Sequence, residues 1–130
     1  MKYLLLIHNN PEALDGLSAQ ERFQLIGGDL LATRIRELQH SGELVNVLAL
    51  AEPSESRTVQ RVDGTPVVSD RPFLETKEFL AGALLLECRT LDRALEIAAE
   101  LPFAALQRIE VRPMRTLDDL DLAAIVGTGR

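Results

Sequence analysis

The chain has 130 residues, 46% hydrophobic and 26% charged, with a formal net charge of −6 and a pI near 4.9. That is the composition of one globular domain; it argues against a disordered chain and against a broad basic face for nucleic acid. One Cys and two His exclude an intrachain disulfide and a thiolate-rich metal site, and no apolar run reaches the length of a membrane span. The expectation is a cytoplasmic protein with no cofactor, no metal and no nucleic-acid or membrane partner.

Lys2 to Ile7 (KYLLLI) is a short run apolar on both faces and reads as a central strand. Asn9, Asn10 and Pro11 break it. Ser18 and Glu21 have the spacing of a capping box, and Phe23, Leu30, Leu31, Ile35 and Leu38 follow at helical intervals. The pattern predicts one helix from Ser18 to about Ser41, stopped by Gly42, with Gly27 and Gly28 in its middle. Those glycines read either as close packing of the helix or as room for a ligand.

Glu43 to Ala51 predicts a second strand, interrupted by Asn46. Thr58 to Val62 and Thr65 to Val68, joined by Asp63-Gly64, predict a β-hairpin, since both central residues of the tight turn need positive φ. Pro66 keeps its strand at an edge. A polar connector, Ser69 to Glu78, leads to Phe79–Cys88 (FLAGALLLEC), again apolar on both faces. Thr90 can cap a second helix with Asp92 in its first turn and Leu91, Ala94, Leu95, Ala98 and Leu101 as its apolar face. Ile109 to Arg112 (IEVR) alternates as an edge strand should, and Asp118, Asp119 and Asp121 lie in a C-terminal tail.

Without the hairpin this order is βαββαβ, the ferredoxin-like split βαβ arrangement, α+β in class. It puts the first and third main strands in the centre. Two helices cover only one face of such a sheet, so doubly apolar central strands leave the other face uncovered. A second copy packed sheet to sheet would cover it, and the expectation is a homodimeric α+β barrel.

Asp70-Arg71-Pro72-Phe73 followed by Leu74-Glu75-Thr76-Lys77-Glu78 resembles the DGPF tetrapeptide and AETKE-like segment of the YCII-related proteins. The opening MKYLLLI, the strand after the motif and the closing IEVRPM also resemble family segments, over about residues 1 to 115. The resemblance implies a domain over residues 1–115, a tail over 116–130 and the same dimeric barrel. Most of the family has no established activity; some relatives in the wider superfamily are enzymes on small aromatic compounds with a His–Asp pair. In those relatives the His lies in the first helix, about three turns before its terminal Gly. Counting back from Gly42 reaches Leu31, with Asp29 the nearest polar residue, and His40 is too near the helix end. The resemblance therefore carries over no catalytic residue. Arg71 stands where the family has Gly. The family's gene neighbourhoods also imply a link to extracytoplasmic-function sigma factors.

The candidate ligand-binding residues are Asp70, Arg71, Phe73, Glu75, Lys77 and Asp29: a ring that packs on an apolar body and charges that fix a small aromatic or acidic molecule. The same connector reads equally as structural. His8, at the end of the first strand, has the right chemistry for proton transfer but no acidic neighbour in sequence. Cys88 reads as a small core residue. Three classes stay open: a small-molecule binding protein, a small cofactor-independent enzyme such as a lyase, isomerase or dehydrochlorinase-like barrel, and a dimeric interaction module.

Overall fold

A computed structural model describes residues 1–10, 16–25, 28–70, 78–105 and 108–115. The order is β1 (Lys2–Asn9), α1 (Ala19–Leu25), α2 (Gly28–Ser41), β2 (Leu44–Ala49), β3 (Thr58–Val62), β4 (Thr65–Ser69), β5 (Phe79–Glu87), α3 (Leu91–Glu100) and β6 (Arg108–Pro113). The strands β2-β5-β1-β6 form an antiparallel sheet in that spatial order, and β3-β4 form a separate two-stranded sheet. The architecture is α+β, the ferredoxin-like βαββαβ arrangement with an inserted hairpin. The two doubly apolar strands, β1 and β5, are its centre.

Alternation along the strands assigns each side chain to a face. Tyr3 and Leu5 of β1, opposite Leu86 and Leu84 of β5, are at most 3% exposed. They join Leu44 of β2, Leu38 of α2, and Ala94, Ile97 and Ala98 of α3 in one core, with Ile7, Ile109, Val111, Leu31 and Ile35 packed around it. Cys88 belongs to the same core, where burial pushes its thiol pKa up. Arg34 of α2 donates to Glu37 on its own helix and to Glu100 of α3, tying the two helices together.

The caps are as the sequence suggests. The Glu21 amide donates to Ser18 Oγ (3.1 Å) while Glu21 Oε1 accepts from the Ser18 amide (3.3 Å). Thr90 Oγ1 accepts from the Arg93 amide at 3.2 Å. Gly42 ends α2 with φ +82°, the left-handed turn that glycine adopts without a Cβ clash. The hairpin runs in the register Thr58↔Ser69 to Val62↔Thr65, and its turn carries φ +50° at Asp63 and +80° at Gly64, as a type I′ turn requires.

Two helix expectations need correcting. The predicted single helix from Ser18 to Ser41 is two helices. Gly28 opens α2 with φ +47°, outside the right-handed helical region, so the pattern that looked continuous is broken there. A Cβ built on Gly28 would come 3.2 Å from Cε1 of Phe23, so the space the glycine leaves is filled by the α1 aromatic. Phe23 and Leu30 are themselves exposed rather than core. In α3 the buried stripe is Ala94, Ile97, Ala98 and then Leu101, while Leu91 and Leu95 are exposed. The two stripes share Ala94, Ala98 and Leu101; the sheet takes the flank of the helix that carries Ile97 and leaves the flank with Leu91 and Leu95 in solvent.

Two irregularities shape the sheet. The β2–β5 register shifts between Leu44 and Asn46, at the residue that interrupts the apolar run. The β1–β5 register shifts after Ile7↔Gly82, so His8 pairs with Leu80 and Asn9 with Phe79.

Candidate functional site on the open sheet face

No described helix packs on the second face of the sheet. Its centre is apolar: Leu4 and Leu6 of β1 lie beside Leu85 and Ala83 of β5, and Leu48 of β2 lies opposite Ala83. The β6 side is charged. The register Leu4↔Arg112, Leu6↔Glu110 and His8↔Arg108 sends Ile109 and Val111 into the core and aligns Arg108, Glu110 and Arg112 along the open face. The Ile-Glu-Val-Arg alternation thus supplies core and rim from one short segment.

His8 joins this row at the end of β1. Its Nε2 is 3.6 Å from Glu110 Oε1. The other Glu110 oxygen, Oε2, accepts from Nε (3.0 Å) and Nη2 of Arg112. Arg112 therefore holds the Glu110 carboxyl below its ordinary pKa, with His8 contributing in the same direction. Arg108 Nε pairs with Glu78 Oε1 at 3.3 Å. His8, Glu78, Arg108, Ile109 and Glu110 line an open cavity of about 320 Å³. The His8 side chain is 32% exposed, so its imidazole is reachable from that cavity while one edge is held by a carboxylate.

Two other cavities are built differently. One of about 530 Å³ lies where α2 turns into β2 and α3 begins. There Arg93 clamps Glu43 with two donors, Nε at 2.7 Å and Nη2 at 2.9 Å, and donates to Glu96 at 3.2 Å. That hydrogen bonding lowers the Glu43 carboxyl pKa and raises that of the guanidinium; the pair ties loop to helix. The other, about 470 Å³, is a furrow along α2 lined by Thr33, Arg36, Glu37, His40 and Ser41. Among the described residues, no three His, Cys, Asp or Glu side chains gather as metal ligands.

Of the sequence candidates, Asp70 follows the hairpin and its Oδ1 pairs with Arg57 Nε at 3.1 Å, both groups well exposed. Asp29 sits in the first turn of α2, exposed, with its carbonyl accepting from Thr33 Oγ1. Neither lines any of these three cavities. Arg71, Phe73, Glu75 and Lys77 lie outside the described residues. Leu31, where the resemblance would have put a helical His, is half-buried against the core. The residue that sequence reasoning left without a partner is His8. Its acidic neighbour lies 102 positions away, brought beside it by the β1–β6 register. The signal was the fourth main strand, which this topology places next to the first.

The chain is similar to known proteins. An uncharacterized protein of Rhizobium meliloti (strain 1021) is 34% identical over 116 residues, 88% of this chain and 92% of that protein. Among solved structures, 5-chloro-2-hydroxyhydroquinone dehydrochlorinase (TftG) from Burkholderia phenoliruptrix AC1100, in complex with 2,5-dihydroxybenzoquinone, is 18% identical. That match covers 93% of this chain and 100% of the other, with a TM-score of 0.47. The YCII-related domain matches residues 1–118, and with the terminal strand segments and the Asp70–Glu78 motif inside that span, the chain belongs to the YCII-related family.

Proposed function

We propose that two copies of this chain pack through the open faces of their sheets and bind a small aromatic or acidic molecule between them. The observation that supports this reading is the apolar centre of the open face, Leu4, Leu6, Ala83 and Leu85, lying on strands whose other face is already filled. Apolar area of this kind in water favours association, and a second copy is self-complementary by symmetry. The charged β6 row borders that centre, so a pocket formed there has an apolar floor and a polar wall, the usual composition of a small-molecule site. The Asp70–Lys77 segment, which leads into β5, is proposed to add ligand contacts through Phe73, Arg71 and Lys77.

Sedimentation velocity at micromolar concentration tests the pairing: a dimer burying more than about 2,000 Å² in total is expected. A stable monomer would overturn it. Native mass spectrometry of the purified protein, before and after denaturation, tests for a retained small molecule. Thermal shift with aromatic acids on wild type, Glu75→Ala and Lys77→Ala tests the connector; stabilisation kept in both variants removes it from the site. A second reading, a small cofactor-independent enzyme on the same face, is favoured by the His8–Glu110 pair. A dimer that retains no molecule and is stabilised by none would favour an interaction module instead.

A further inference from the structure

The row that borders the open face has an unusual charge balance. Facing His8 are Arg108, Glu110 and Arg112 from β6, and Glu78 just before β5, with Leu80 opposite it in β5. Among the described residues the two arginines and two glutamates cancel, so this row is neutral while His8 is neutral and carries one positive charge when His8 is protonated. Glu110 is engaged by Arg112 through Oε2, and its other oxygen lies 3.6 Å from Nε2 of His8. With Nε2 turned toward Glu110, the other ring nitrogen, Nδ1, has no hydrogen-bond partner among the described residues. Leu80 stands opposite His8, and the apolar centre of the open face continues from there along the same strands, Leu6 opposite Ala83 and then Leu4 opposite Leu85.

We infer that His8 is the proton acceptor of this site and that the ligand is a weak organic acid with an apolar body, a phenol, enol or carboxylic acid, held as its anion. The inference rests on the ligand-binding reading above and specifies its chemistry. In the exchange the ligand O–H bond breaks and its electron pair stays on oxygen. The proton joins the Nδ1 lone pair of His8. The site then carries the positive charge that the new anion needs, and the neutral acid brings the proton itself. A permanently charged anion would instead meet a neutral cluster and would depend on proton uptake from solvent. Glu110 is a positioning residue here: it holds the ring and stabilises the imidazolium, and Arg112 holds Glu110.

Para-nitrophenol is a suitable probe, because its anion absorbs visible light and the neutral phenol does not. The protein is mixed with it at a pH where the free phenol is mainly neutral, and equilibrium dialysis measures how much is bound. The expected result is a rise in phenolate absorbance on binding to wild type. His8→Gln should retain bound phenol but lose about tenfold of the ionised fraction. Glu110→Gln should lose an intermediate amount, with the circular dichroism of both variants unchanged. Equal ionisation in wild type and His8→Gln, or binding to wild type with no ionisation, would overturn the assignment of His8 and leave the binding reading standing. No retained phenol in wild type would remove the acid-binding pocket itself, and this inference with it.

Discussion

The two faces of one sheet differ more than the strands that build them. On the helix side, Leu5 and Leu86 are fully buried; one residue along, Leu4, Leu6 and Leu85 are only partly covered. All are apolar, so composition does not separate the faces. The difference is the number of covering elements, since α2 and α3 serve one side alone. An apolar strand surface therefore reports what it must be covered by, and here the described chain supplies half of that cover.

The largest test of this contrast is Leu5→Ala against Leu6→Ala. Removing the Leu5 side chain should cost about 3 kcal/mol at any protein concentration, measured by urea unfolding. Leu6→Ala should cost less than about 1 kcal/mol in the dilute protomer and show chiefly as weaker self-association at high concentration. Equal, concentration-independent losses would break the contrast. Next comes Gly82, where a Cβ would sit 2.6 Å from the Leu48 carbonyl oxygen. Gly82→Ala should cost about 2 kcal/mol and raise amide exchange along β2, the edge strand that must move. Exchange unchanged in β2 would mean that the strand pair absorbs the methyl group elsewhere.

A smaller effect is expected in the hairpin. Gly64→Val forces a β-branched residue into φ +80° and should cost about 1–2 kcal/mol, lost from β3-β4 without loosening the main sheet. Amide exchange resolved by segment would show whether the two sheets open independently. The smallest concerns pH and the cover of the helix face. The Glu43 carboxyl lies below its ordinary value near 4.5, so its pair with Arg93 stabilises the fold fully above that value. That contribution declines as pH falls through the folded-state pKa. Because the pair is partly exposed, Arg93→Ala should cost about 1 kcal/mol at neutral pH and nothing in acid, and converging unfolding curves would show it.

Sequence alone carried the parts of this molecule that depend on neighbours in the chain. Asp63-Gly64 specified its turn, Ser18 and Thr90 their caps, and the doubly apolar runs at Lys2–Ile7 and Phe79–Cys88 the centre of the sheet. The break at Gly28 was not legible, because Phe23 and Leu31 keep helical spacing across it and only φ reveals the change. Nor was the phase of α3, since stripes through Leu95 and through Ile97 are equally periodic. The site was the least legible part. His8 and Glu110 are unremarkable in sequence, and only the strand register makes them a pair. Asp70, singled out in the sequence, is paired locally with Arg57.

The register shift after Gly82 also sets a parity for the chain. Strands count in twos, and one extra residue at Ala81 exchanges odd for even in all that precedes it along β5. With Ala81 bulged out, Leu80 stands opposite His8 and Phe79 opposite Asn9; in a ladder that gave Ala81 a partner of its own, Ala81 would stand opposite His8 and Phe79 would turn to the side where His8 stands. Deleting Ala81 would therefore leave both pairs in place and only straighten the ladder, whereas deleting a paired residue such as Ala83 would act as a frameshift in space, swapping which of the preceding side chains belongs to which half of the protein.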